Sequence, residues 1–277
     1  MLLSIEVDQH YLSWDAIRER TLAAEEYGFD GVWVFDHFRP IGGDPNGPCL
    51  EGWTLLAALA AVTRRVRLGT LVTGITYRHP SLLAAETVTV DHVSGGRVEL
   101  AVGAAWFEGE HRQLGFPFPS TRERTERLEE SIELIRLLMT QNDVSYAGRH
   151  YRLDHATYEP RPVQRPHPPI WIGASGERLM LPIVARRADV WHHSGPLEEM
   201  IRKSRLIDEY ARQFGRDPRA IARAGSIRLD DDLETIRRTA HGFRDAGFSR
   251  LVCVWPAAGP PQVERFARDL LSELQAL

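Results

Sequence analysis

The chain has 277 residues, 43% hydrophobic and 26% charged, which is ordinary globular composition and enough length to bury a large core. Its formal net charge of −4, from 34 Lys and Arg against 38 Asp and Glu, argues against a general nucleic-acid or acidic-membrane partner. Two cysteines, Cys49 and Cys253, are too few for a disulfide framework or thiolate metal cluster; with no basic, apolar leader and no apolar run near ~18 residues, a cytoplasmic protein is expected.

Helix and strand alternate from end to end. Residues 2–7 read as a first strand, Ser13 caps a helix running to Tyr27, and Gly28 supplies its left-handed stop. The run Val32–Phe35, all β-branched or aromatic, reads as a strand covered on both faces. Then follow helix 53–63, strand 66–73, helix 80–93 opened by Pro80, strand 97–103, and a long connection 104–119. Helix 120–140 leads into 144–168, where Ala147-Gly148 marks a hairpin turn before a proline-rich stretch. Strand 169–173, helix 177–187, strand 188–193, helix 197–214, strand 222–228, helix 232–246, strand 250–255 and helix 261–275 complete the chain. The phrase helix, Gly, Phe, strand occurs both at 24–35 and at 240–255, which marks a repeating β/α unit. About eight strands, each followed by a helix, predict an α/β fold: one (β/α)₈ TIM barrel over residues 1–277, with insertions after strand four and in 141–168 that wall a pocket at the barrel mouth.

Barrels and open α/β sheets place ligands at the carboxyl ends of their strands. Asp36 and His37 end the second strand, either as part of such a site or as an ion pair without chemistry. The third strand runs out in Thr70-Leu71-Val72-Thr73-Gly74 and is followed by Tyr77-Arg78-His79. The fifth ends in Gly173-Ala174-Ser175-Gly176-Glu177, where small residues and a helix amino terminus make a phosphate cradle or an ordinary capped turn. The sixth ends in His192-His193-Ser194; adjacent histidines on a strand face opposite ways, and no metal motif accompanies them, so no metal is expected. Ser194 either lies over a cofactor or begins a turn. Neither a nucleophile elbow nor a reactive-cysteine context is present. Trp106, past a strand end and beside acids, is placed to touch a ligand, whereas Trp33, Trp53 and Trp171 read as packing. The arginines, interspersed with acids, read as solvated helix faces.

Four ordered motifs carry a resemblance: Ala-Glu-Glu-Tyr-Gly-Phe-Asp-Gly-Val-Trp-Val-Phe-Asp-His (24–37), Arg-Leu-Gly-Thr-Leu-Val-Thr-Gly-Ile-Thr-Tyr-Arg-His-Pro (67–80), residues 91–111 around Val-Gly-Ala-Ala-Trp-Phe-Glu-Gly-Glu-His, and Pro-Ile-Trp-Ile-Gly-Ala-Ser-Gly (169–176). Across nearly its whole length the chain resembles the luciferase-like monooxygenase superfamily of flavin and deazaflavin enzymes, and within it the F420-dependent branch. The resemblance implies an oxidoreductase that transfers hydride between coenzyme F420 and a small organic molecule. The alternatives are an FMN-dependent monooxygenase and a noncatalytic flavin-binding barrel, and the family is often homodimeric. It implies that Asp36 and His37 flank the cofactor ring and that Leu71 and Val72, with Thr73, form a bulge, often a cis peptide, behind it. Ala174, Ser175, Gly176 and Glu177 would bind the phosphate with Ser194 nearby, and Phe38, Tyr77 and Trp106 would border the substrate. His37 is the expected proton carrier, since imidazole titrates near neutrality. Deazaflavin sugar-phosphate dehydrogenases carry an acid just after strand four where this chain has Trp106; Glu108 is taken as the stand-in, with Glu110 and His111 beside it.

Overall fold

The computed structural model describes residues 1–277. In chain order the elements are β1 (Leu2–Glu6), α1 (Trp14–Tyr27), β2 (Gly31–Val34), α2 (Gly52–Val62), β3 (Arg67–Thr70), β4 (Thr73–Gly74), α3 (Pro80–Ser94), β5 (Leu100–Gly103), α4 (Glu108–Leu114), α5 (Thr121–Thr140), β6 (Val144–Ala147), β7 (Arg152–Ala156), β8 (Ile170–Gly173), α6 (Met180–Arg187), β9 (Val190–His192), α7 (Leu197–Gln213), β10 (Ala222–Arg228), α8 (Leu233–Asp245), β11 (Arg250–Val254) and α9 (Pro260–Phe266). A π turn, Ala267–Leu271, and a last helical turn, Ser272–Gln275, extend α9. The local signals act as expected. Ser13 Oγ accepts from Ala16 N–H, Gly28 at φ 100° ends α1, and Pro80 opens α3.

Nine parallel strand pieces pair in the order β3-β2-β1-β11-β10-β9-β8-β5-β4, and a bridge from Leu68 to Val98 joins the two ends, so the sheet is an α/β barrel. The expected third strand is two pieces. Leu71–Val72 is a cis peptide that separates β3, paired with β2, from β4, paired with β5. Thr73 closes this bend from within: its Oγ1 meets Thr70 Oγ1 at 2.6 Å and accepts from Trp53 Nε1 at 2.9 Å.

Alternation along the strands divides the core in two. In β1, Leu3 and Ile5 face the helices and are fully buried, while Ser4 and Glu6 face the barrel interior. The interior is small: Trp33, Leu71, Ala101, Trp171, Val190, Ala224 and Val252. Its lower half is filled by the two indoles, packed edge-on at 4.7 Å, and a Cβ on Gly69 would lie 2.2 Å from Trp33. Buried Glu99 caps that end, meeting Arg67, Arg250 and Trp171 Nε1. Above the indoles Gly103 and Gly173 make room for Val72, which a Cβ on either would meet at 2.8 Å. A mouth opens at the carboxyl ends of the strands, with both glycines and Val72 on its wall.

Of the two insertions, the first walls the mouth through Ala104, Ala105 and Trp106, as expected, and the second does not. Residues 104–119 contain α4, which buries Glu110 and His111. The β6–β7 hairpin turns through a four-residue loop, 148–151, and does not wall the mouth. It docks on α5, where the Glu130 carboxylate accepts the N–H groups of Arg149, His150 and Tyr151.

Candidate active site

The mouth is a cavity of about 630 Å³ bordered by the strand ends of β1, β2, β5, β8 and β9 and by the β3–β4 bend. Of the residues singled out from sequence, Asp36, His37, Leu71, Val72, Tyr77, Trp106, Ala174, Ser175, Gly176 and Ser194 line it. Four do not. Thr73 is locked inside the β3–β4 bend. Phe38 packs away from the cavity on Tyr77 and Phe116. The Glu177 carboxylate turns to Arg202 at 2.6 Å. Glu108, in the first turn of α4, is exposed, and its carboxylate accepts no hydrogen bond from a cavity residue.

The acid that reaches the site from α4 is Glu110, two residues beyond Glu108 and fully buried. One of its oxygens accepts the N–H groups of Phe38 at 2.8 Å and Arg39 at 3.2 Å; the other meets His37 Nδ1 at 3.0 Å and the Tyr77 hydroxyl. Burial alone would raise this carboxyl, but His37, Tyr77 and the Phe38 N–H together hold it below the usual carboxylate range. Tyr77 is pushed up by burial and by Glu110, so it stays a donor. A carboxylate accepting at Nδ1 places the ring proton there, and Nε2 is left without a protein partner. The Trp106, Phe107 and Tyr77 rings pack edge-on around the imidazole.

Asp36 behaves otherwise. Both its oxygens bind Arg78, at 2.6 and 3.0 Å, and Arg78 also meets Glu51 at 3.1 Å and Glu86 at 3.3 Å. Burial pushes Asp36 up and Arg78 opposes it. This is the ion-pair alternative of the sequence reading. The carboxylate's partner is the guanidinium, so a catalytic part for it is not favoured.

Around the rim, the N–H groups of Ser175, Gly176 and Glu177 donate to nothing in the protein, while Met180 and Leu181 N–H both reach back to Gly176 O. These free amides lie in the turn that leads into α6 and border the mouth, where they can donate to an anion. Across from them His192 Nε2 bonds Ser226 Oγ at 3.0 Å, which also bonds Ser194 Oγ at 2.9 Å. Burial lowers His192 to about 3, so it is neutral, and His193 turns to Glu199 and Lys203. No group of three or more His, Cys, Asp or Glu side chains converges as for a metal ion.

Two charged residues on the wall carry no signal singled out in the sequence. Arg124 of α5 is 8% exposed, donates to Ala104 O and Pro119 O, lies 3.9 Å over Phe118, and is the one Lys or Arg on the cavity wall. Glu6, at the end of β1, is raised by burial, with Asp8 adding, to about 7. That shift has a signed consequence. A carboxyl that is harder to ionise in the folded protein destabilises it progressively as pH rises from its ordinary 4.5 to about 7, and equally above that. Glu6→Gln should therefore be more stable than the parent by roughly 2–3 kcal/mol at pH 8, with the gap gone by pH 4. Urea unfolding at the two pH values checks this; a gap independent of pH would be inconsistent with a buried titrating acid.

Residues 2–270 match the family described as luciferase-like monooxygenase. An F420-dependent glucose-6-phosphate dehydrogenase of Nakamurella multipartita is 40% identical over 162 residues, covering 58% of this chain and 46% of that protein. An FMNH(2)-dependent dimethylsulfone monooxygenase of Pseudomonas putida is 33% identical over 192 residues, covering 69% and 52%. The chain thus spans about half the length of these curated relatives. Among solved structures, an F420-dependent secondary alcohol dehydrogenase bound to an F420-acetone adduct superimposes with TM-score 0.87 at 19% identity over 99% of this chain and 98% of that one. A coenzyme F420-dependent tetrahydromethanopterin reductase of Methanopyrus kandleri gives 0.80 at 17% identity over 98% and 99%. At these identities the superpositions speak for the barrel alone.

Proposed function

The chain belongs to the luciferase-like monooxygenase family, and on that premise we propose that it is an oxidoreductase that holds coenzyme F420 in the barrel mouth and moves a hydride between it and a small organic substrate. The observation that carries the reading is an imidazole anchored at Nδ1 by a buried carboxylate, with its free nitrogen in a cavity floored by glycine.

The residues fit such a group. Gly103 and Gly173 line the mouth with bare backbone and make room for Val72, which a side chain on either would strike, so the wall there is flat enough for a planar ring to lie against. Leu71 and Val72 would back the ring, the amides of Ser175, Gly176 and Glu177 would hold its phosphate, and Ser194, bonded to Ser226, would border it. When bound, the deazaflavin supplies a ring carbon that gives or takes hydride. His37 Nε2 then exchanges a proton with the substrate oxygen, and Glu110 stabilises the imidazolium that results. Tyr77 keeps its proton and, with the N–H groups of Phe38 and Arg39, fixes the carboxylate so that the imidazole does not swing. Phe35, Ile41 and Trp106 make the substrate side apolar and help exclude water. Arg124 being the sole cation on the wall, a second phosphate beside the cofactor's has little to bind it. A neutral substrate is favoured over a sugar phosphate.

The dimethylsulfone monooxygenase relative sustains FMN as the second reading. Titrating the protein with oxidised F420 and with FMN, followed by absorbance and calorimetry, decides between them. F420 is expected to bind at least tenfold more tightly; tighter FMN binding would move the assignment to the monooxygenases, and binding of neither would remove it.

A further inference from the structure

We propose that Glu6 is a second proton-handling group of the mouth, exchanging a proton with the redox cofactor's ring while His37 serves the substrate. The inference rests on the cofactor reading above, but the position of Glu6 does not. Strand alternation turns its side chain into the barrel, one layer above Ser4, so that it stands on the inner floor of the cavity. Glu6 and Asp36 are the carboxyls on the cavity wall, and Asp36 is paired with Arg78. Glu110, behind His37, has every lone pair engaged. Glu6 alone accepts no hydrogen bond and forms no ion pair with the rest of the chain.

Its surroundings raise it toward neutrality. Its neighbour on β2, Trp33, is uncharged, and the buried Cys253 thiol of β11 is also pushed up, by burial and by Glu6. Asp8 adds a like charge, partly answered by His10 at 2.9 Å, and His192 across the mouth is neutral. No cation favours its carboxylate form, so near neutral pH it can both give and take a proton.

The balance of the reaction calls for such a group. Oxidation of an alcohol to a carbonyl releases a hydride from carbon and a proton from oxygen. Reduction of a deazaflavin takes up that hydride at a ring carbon and one proton at a ring nitrogen. With His37 accepting the hydroxyl proton, the ring nitrogen's proton comes from the Glu6 carboxylic acid, which is left as carboxylate and recovers its proton from solvent. The reverse reaction runs through the same positions.

Two measurements on Glu6→Gln test this. In infrared difference spectra of the cofactor-free proteins, the parent should show a protonated carboxyl band that disappears with a midpoint near pH 7 and is missing from the variant. With cofactor and a neutral alcohol or ketone, kcat of the variant should fall by about 10²-fold or more, with cofactor Kd within threefold of the parent and the pH limb near 7 lost. A band titrating near pH 4, or kcat within threefold of the parent, overturns the proposal. Should the parent bind neither F420 nor FMN, the cofactor reading fails separately, and the infrared titration still shows whether Glu6 is a neutral acid.

Discussion

His37→Ala is expected to lower kcat by about 10²–10⁴-fold, the range for losing a positioned acid-base group, while cofactor Kd changes by less than about threefold. The separation follows from the geometry. The proposed cofactor contacts come from the β3–β4 bend, the glycines and the 175–177 amides, none of which touches the imidazole, so the ring should still bind. What is lost is the free nitrogen, and with it the place where the substrate proton goes. Glu110 would keep the two N–H groups and the Tyr77 hydroxyl, so the fold around it should persist. Steady-state kinetics beside a binding titration make the comparison, and undiminished turnover would remove His37 from the mechanism.

Arg78→Ala is expected to destabilise the protein by about 3–5 kcal/mol at neutral pH. Asp36 has no other partner for its carboxylate, and Glu51 and Glu86 would then crowd the same space without a cation. Burial and these like charges already push Glu86 up to about 7 with the guanidinium present. In the variant, acidification should restore stability, because the stranded carboxyls can neutralise by binding protons; the parent should show less of this. The doubly apolar variant, Asp36→Leu with Arg78→Met, should lose less than Arg78→Ala, since it leaves Asp36 out of the balance. Urea unfolding at pH 5 and 7 measures both, and a loss under 1 kcal/mol for Arg78→Ala would show that the pair contributes little.

These two variants also mark how far the chain could be read in one dimension. Asp36 and His37 stand out together in the sequence because both follow a buried strand, and both line the mouth. Their different fates lie in partners 42 and 73 residues away, Arg78 and Glu110, which no spacing rule connects. The sequence offers Glu108, Glu110 and His111 alike after Trp106, and nothing in it favours Glu108; the orientation of α4 decides that Glu110 faces inward. Glu6 did leave a trace. It alternates with Leu3 and Ile5 in a strand apolar on its other face, and an acid on the inner side of a barrel strand near its carboxyl end is itself a site signal. Arg124 left none, because Arg-Glu-Arg-Thr-Glu-Arg looks the same whether a helix start meets water or a cavity.

Local chemistry settled the strands, the caps at Ser13, Gly28 and Pro80, the barrel count and the loop of free amides at 175–177, since each depends on residues a few positions apart. Closure of the sheet settled the rest. It alone determined that glycines from β5 and β8 would meet Val72 on the wall of one mouth, that the hairpin would lie on α5 and away from that mouth, and which of the acids near it would be left without a cation. Hydrogen bonds and desolvation act over a few ångströms in space, and only the folded chain says which residues those few ångströms contain.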